Sequence, residues 1–289
     1  MAFIKDIRVD SIMIDEFSEL AWLSKSLAAG LLHGMHRSKN LSSGIEFSQY
    51  RPYVPGDDPR LIDLKMVAKT DRYYVKQAQI ESRQIFQFLI DNSASMDYEE
   101  KGLSKLHLAK LIVATLSYVA NMQGDKYGWN STDESLNIDT GMNHWRRCIS
   151  SLSEVKIESE HTPSSVFSIR KGIVIWITDL YESLESIKAK MNEWSSPHLE
   201  AIIIHLAGKK EENLDFKSNS NFIDLESNVR IETHIPSVLK TYQKNYRSHF
   251  RAIKEMADER GIVYFKIYLD DHLPATLKTF FDMYNSTRA

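Results

Sequence analysis

An aspartate and two serines stand at i, i+2 and i+4 in Asp91-Asn92-Ser93-Ala94-Ser95-Met96, directly after the apolar run Ile85-Phe86-Gln87-Phe88-Leu89-Ile90. A second aspartate, Asp179, directly follows Ile173-Val174-Ile175-Trp176-Ile177-Thr178. Carboxylate and hydroxyl oxygens are hard donors, suited to Mg²⁺, Mn²⁺ or Ca²⁺ and poorly matched to zinc or copper. Two carboxylates with neutral hydroxyls leave such an ion incompletely neutralised, so it still attracts an outside anion. Asp and Ser are also ordinary caps at a strand-to-helix junction, and D-x-S-x-S by itself is explained that way as readily. An aspartate that ends one buried strand is common too; two in this order are less easily explained by capping, and at this point the metal and capping readings stand side by side.

Those aspartates need elements to carry them. Both apolar runs are short and nearly continuous, the pattern of strands covered on both faces, and Ala201-Ile202-Ile203-Ile204-His205-Leu206 is a third. Helical spacing of apolar residues follows at 101–121, 142–152, 183–194 and 237–260, with a last strand at 262–267. A further strand near 126–130 pairs with 134–138. Alternating strands and helices at this spacing predict parallel βαβ units in a doubly wound α/β sheet. Ligands of such sheets bind beyond the carboxyl ends of the strands, where Asp91 and Asp179 fall.

Ahead of this region, Ile12 to Gly34 shows one apolar stripe at helical spacing, with Gly34 and the polar run Arg37 to Asn40 as its stop. Leu41 to Pro59 is rich in turn formers and ends in Pro55-Gly56-Asp57-Asp58-Pro59. Leu61 to Glu81 reads as one or two short strands. The expected division is residues 1–82, a helix with a small extension, and residues 83–289, the main domain.

The chain has 289 residues, 43% of them hydrophobic, and a formal charge of −3. That balance gives no global positive field toward nucleic acid or anionic lipid. Residues 37–83 run the other way, with nine basic residues against six acidic and four interleaved tyrosines. Mixed-sign charge of this kind more often forms internal pairs and turn caps than a nucleic-acid surface, so Asp57, Asp58, Arg60 and Asp63 are read as structural pins. Cys148, the single cysteine, excludes an internal disulfide and fits a reducing compartment. The expected location is cytoplasmic, with no membrane partner. Neither a P-loop nor a Gly-x-Ser-x-Gly elbow occurs.

Asp91-x-Ser93-x-Ser95 with the distant Asp179 resembles the metal-ion-dependent adhesion site of von Willebrand factor A domains. Gly44-Ile45-Glu46-Phe47, Arg51-Pro52-Tyr53, Pro55-Gly56-Asp57-Asp58-Pro59-Arg60 and Ile62-Asp63-Leu64 resemble the signature of the family called domain of unknown function 58. The likeness continues through Ala68-Lys69-Thr70, Tyr74-Val75-Lys76 and Glu81 and runs through nearly the whole chain. It departs at Leu64, where the family usually has Trp, and at Asn130, where an apolar residue would continue the strand.

The resemblance implies a von Willebrand factor A-like, mainly parallel sheet flanked by helices. It also implies a metal set of Asp91, Ser93, Ser95, Thr162 and Asp179, with Thr140 as competitor for the threonine, around Mg²⁺, Mn²⁺ or Ca²⁺. Ser93 and Ser95 would ligate directly, Thr162 directly or through water, and the aspartates mainly through water. The open position would take an Asp or Glu of a partner protein. Association of the family with MoxR-type AAA ATPases implies an adaptor rather than an enzyme. The alternatives are a Mg²⁺-dependent phosphohydrolase with Asp91 as nucleophile, which lacks the usual second Asp at Ser93, and a scaffold whose site no longer holds metal.

Overall fold

The structure is a computed structural model, and it describes residues 17–38, 47–78, 83–132, 134–158, 169–194, 196–216, 219–223 and 230–286. The chain divides into two compact units, one drawn from residues 1–34 and 84–289, the other from 35–83. The helix expected to group with the extension therefore belongs mainly to the larger unit.

In chain order the elements are α1 (Phe17–Ser38), β1 (Phe47–Pro52), α2 (Leu64–Thr70), β2 (Tyr74–Ala78) and β3 (Ile85–Ile90). A 3-10 turn (Ala94–Asp97) and the small hairpin β4 (Glu99–Glu100), β5 (Leu103–Ser104) lead to α3 (Lys105–Gln123). Next come β6 (Lys126–Asn130), β7 (Ser135–Asp139), α4 (Met142–Glu154), β8 (Gly172–Thr178), α5 (Leu184–Glu193) and β9 (Leu199–Ala207). The chain continues with α6 (Lys209–Asn213), β10 (Asn219–Ile223), β11 (Arg230–His234), α7 (Ile235–Asp258), β12 (Val263–Tyr268) and α8 (Leu273–Ser286).

Six strands form the central sheet in the order β12-β9-β8-β3-β6-β7. All neighbours are parallel except β7, which runs antiparallel to β6 at one edge. Alternation along β8 and β9 explains why Ile173–Ile177 and Ala201–Ile204 are apolar without a break. Ile173, Ile175, Ile177, Ile202, Ile204 and Leu206 join one core with α1, α3, α4 and α8. Val174, Trp176, Ala201 and Ile203 join a second core with Ile187 and Met191 of α5 and Phe250 and Ile253 of α7. Burying each such side chain stabilises the fold by roughly 1.5–3 kcal/mol. Gly172 opens β8 at φ +130°, and a Cβ there would lie 2.5 Å from the Ile85 carbonyl oxygen, so only glycine lets β8 start against β3.

Asn130, the polar departure in β6, has a partner in the sheet: Gln87 Nε2 of β3 donates to its Oδ1 at 2.6 Å. Other departures have equally local causes. Gly34 alone does not end α1, which continues to Ser38 within the polar run expected to stop it. The helix read from residue 101 starts at Lys105, because residues 99–104 form the β4–β5 hairpin and Ser104 Oγ accepts from the His107 N–H as its cap. Among the described residues, no helix is long and apolar enough to cross a membrane.

In the smaller unit β1 and β2 pair antiparallel. Residues 61–81 hold a helix that the expected strands left out, because the Asp63 carboxylate accepts from the N–H groups of Lys65 (2.8 Å) and Met66 (3.3 Å) and starts α2. The Arg51 guanidinium forks onto both oxygens of Asp57 at 2.6 Å, holding that carboxyl down to about pKa 2. Asp58 accepts from the Arg60 N–H. Three of the four pins are thus carboxylates that fix turns, while Arg60 contributes its backbone and leaves its side chain exposed. Leu64, at the usual Trp position, is 75% exposed.

Candidate metal centre at the strand tips

β3 and β8 are neighbours in the sheet, and the connections leaving them diverge: α3 packs in one core and α5 in the other. That divergence is the switch point of a doubly wound sheet, the place where such sheets bind their ligands, beyond the carboxyl ends of the strands. Asp91 and Asp179 both lie there. The ladder extends one step beyond β3, with the Asp91 N–H donating to the Ile177 carbonyl at 2.9 Å.

Each oxygen of Asp91 has a partner that orients it. Thr178 Oγ1 donates to Oδ2 at 2.6 Å, and the Ser93 N–H donates to Oδ1 at 3.0 Å. The Ser93 and Ser95 hydroxyls share a hydrogen bond, their Oγ atoms 3.1 Å apart. Adjacent ligands on an octahedral Mg²⁺ with bonds near 2.1 Å stand about 3.0 Å apart, so the two hydroxyls have the spacing of neighbouring ligands on one small ion. The serine pair and Asp91 fit a hard cation. Among the described residues no three His, Cys, Asp or Glu side chains form a metal-holding group; what lies here is a pair of alcohols next to Asp91, with Asp179 at the tip of the neighbouring strand.

Asp179 is more heavily committed. The ammonium of Lys105 sits 2.9 Å from its Oδ2 and 2.9 Å from Oε1 of Glu211, with Lys105 fully buried. The rings of Tyr98 and Tyr181 flank the ammonium, their centroids 5.1 and 4.8 Å away. Burial alone would lower the Lys105 pKa, but Asp179 and Glu211 more than offset it and hold the amine charged. For Asp179 burial wins: it pushes the carboxyl up to about 6, against the pull of Lys105 and with help from the nearby Asp91 charge.

Of the two threonine candidates, Thr140 is excluded by strand direction. β7 runs back along β6 and pairs Asp139 with Tyr127 near the start of β6, so Thr140 emerges at the opposite end of the sheet from Asp91. Thr162 lies outside the described residues. The segment that leads to it passes the centre, since Glu158 bridges to Ser93 and its N–H donates to the Asn92 carbonyl at 2.8 Å.

Sequence reasoning missed four contributors. Asn92 is fully buried and stakes two loops beside the tip, accepting from Thr132 Oγ1 at 2.8 Å and donating to the Lys156 carbonyl at 3.0 Å. Thr178, Lys105 and Glu211 complete the set. Lys105 left a trace: a lysine at the first position of a helix opposes the helix dipole, and in a buried helix that calls for compensating carboxylates.

Residues 49–252 match the family model described as "Protein of unknown function DUF58", about seven-tenths of the chain. The chain belongs to the DUF58 family. This DUF58 chain is also 33% identical over 100 residues to uncharacterised proteins of Mycobacterium tuberculosis (Rv1480) and Mycobacterium bovis (Mb1516). That match covers 34% of the chain and spans 31% of the length of the mycobacterial proteins. Among solved structures it is similar to a conserved hypothetical protein, BatB, from Bacteroides thetaiotaomicron (14% identity, TM-score 0.40, 71% of this chain and 100% of that one). An aerotolerance-related membrane protein from Bacteroides fragilis is similar at 16% identity and TM-score 0.41, over 68% of this chain and 97% of that one.

Proposed function

We propose that this DUF58 protein is a non-catalytic, divalent-ion-dependent protein-binding module of the von Willebrand factor A-like kind. In this reading Mg²⁺, Mn²⁺ or Ca²⁺ is held by Ser93 and Ser95, with Asp91 and Asp179 acting mainly through water and Thr162 completing the set. A carboxylate of a partner protein fills the open position. A MoxR-type AAA ATPase is the partner class that the family resemblance implies, and the role is that of an adaptor between motor and client.

The observation that carries the reading is the convergence of the Ser93 and Ser95 hydroxyls, 3.1 Å apart, beside an Asp91 whose oxygens are already oriented by Thr178 and the Ser93 N–H. Few direct anionic ligands leave an ion electrophilic, which suits capture of an acid rather than hydrolysis. Asp91 as a phosphohydrolase nucleophile is disfavoured, because both its oxygens accept hydrogen bonds and the position two residues on is a serine with no acid to give.

One observation favours a second reading. Lys105 already supplies a cation to Asp179, as in a scaffold that works without metal. Partner capture from native lysate, with and without EDTA and with Asp91→Ala, separates the two. Capture lost in both chelator and variant supports the ion-dependent module; capture indifferent to EDTA supports the scaffold.

A further inference from the structure

We propose that Lys105 is a built-in competitor of the divalent ion: its ammonium occupies Asp179 in the ion-free protein and must yield that carboxylate for the ion to bind. The inference rests on the ion-binding reading above and adds a regulatory element to the same centre.

Asp179 is on the tip of a central strand and Glu211 on α6, and both ends are fixed. The Glu211 carbonyl accepts from Tyr242 Oη at 2.9 Å, its Oε2 accepts from the Gly208 N–H at 3.2 Å, and α6 is held further by the Lys210 N–H on Glu100 Oε1 at 2.9 Å. Lys105 reaches both carboxylates on a flexible four-carbon stem. An ion arriving at Ser93 and Ser95 brings two positive charges toward a third that is fully buried, where water screens little. Asp179, whose Oδ1 accepts the Tyr181 N–H at 3.4 Å, can turn its full charge toward the ion or an ion-bound water only to the extent that it releases the ammonium from Oδ2. Lys105 keeps a counter-charge in Glu211, so release does not strand a bare charge.

Two consequences follow. Ion affinity in the absence of partner is held low, and the energy of a partner carboxylate is spent partly on moving Lys105. The lysine also keeps Asp179 and Glu211 from being buried unpaired in the ion-free protein, a state that is strongly destabilising.

The test is calorimetric titration of the full chain with MnCl₂, without partner, for wild type, Lys105→Met and Lys105→Gln, alongside thermal unfolding in EDTA and in Mn²⁺. Glutamine keeps a donor for Asp179 and serves where methionine fails to fold. Lys209→Gln removes a cation from α6 that pairs with Asp270, and controls for charge alone. Removing the ammonium should tighten Mn²⁺ binding by about ten-fold or more, a typical size for a group acting beside the ligands. The variants should also melt lower in EDTA and gain more from Mn²⁺ than wild type does, while Lys209→Gln changes little. Wild type that binds Mn²⁺ with Lys105 variants no tighter overturns the inference and leaves the ion site standing. Variants that bind where wild type does not support the inference and overturn the ion-dependent reading for the native chain. No binding by any of them overturns both.

Discussion

Thr178 Oγ1 donates to Oδ2 of Asp91 across 2.6 Å, joining the last residue of one central strand to the first residue beyond its neighbour. Thr178 is fully buried, and its hydroxyl also accepts the Leu180 N–H at 3.0 Å, so one alcohol sets both the Asp91 rotamer and the path of the chain past Asp179. Thr178→Val keeps the branched shape and removes the hydrogen bonds. It should cost about 1–3 kcal/mol of stability, the penalty for leaving the Leu180 N–H and a carboxylate oxygen without this partner. Mn²⁺ affinity should drop by roughly 10–100-fold, as for other groups that orient metal ligands. Urea unfolding measures the first and calorimetry the second.

Gly208 tests how tightly the lysine enclosure is built. A Cβ there would lie 2.3 Å from Glu100 Oε1 and 2.5 Å from Cε1 of Tyr98. Glu100 is bound by Tyr98 Oη at 2.9 Å and by the Lys210 N–H, so it has little freedom to retreat. Gly208→Ala should destabilise the protein by about 1–3 kcal/mol through overpacking, read as a lower urea midpoint at unchanged slope.

His205 makes acid stability measurable at one residue. It is buried in β9, stacked on Phe250 at 4.4 Å and paired through Nδ1 with the Tyr264 hydroxyl. Burial, with Lys266, Lys105 and His249 as nearby positive groups, holds its pKa well below the ordinary value. Below pH ~6.5 the unfolded chain takes up a proton that the folded one refuses, so stability falls as pH drops, by up to about 1.4 kcal/mol per pH unit. Asp179, raised to about 6, has the opposite sign: the folded state takes up its proton first, and that gain grows on acidification. His205→Gln should therefore flatten or reverse the loss expected of the wild type between pH 6.5 and 5, read from urea unfolding at each pH. An unchanged pH profile in the variant would show that His205 is not the group responsible.

The sheet was legible because its strands are covered on both faces: Ile173 to Ile177 is apolar at every step and Ile202 to Leu206 at every step but His205, and no amphipathic helix reads that way. Strand direction was legible too, though only from loop length. The link between β6 and β7 is far too short for a parallel crossover, and that alone returns Thr140 to the far end of the sheet. The Asp91, Ser93 and Ser95 cluster is local and announced itself. Lys105 and Glu211 meet across more than a hundred residues, and nothing in either neighbourhood names the other. α2 was hidden for a different reason, since Asp63 reads equally as a turn residue and as a helix cap until the backbone decides. The β10–β11 hairpin lies in a polar stretch with no clean alternation, and its strands went unread.

The account stands or falls on a cation at the tips of β3 and β8. Titration of the full chain with MnCl₂, comparing wild type with Asp91→Ala and with the double variant Ser93→Ala, Ser95→Ala, tests it most directly. The expected result is one saturable site in wild type, competed by Mg²⁺, and no binding in either variant while far-ultraviolet circular dichroism stays native. Mn²⁺ uptake that is absent from wild type, or that survives loss of both hydroxyls, would contradict it.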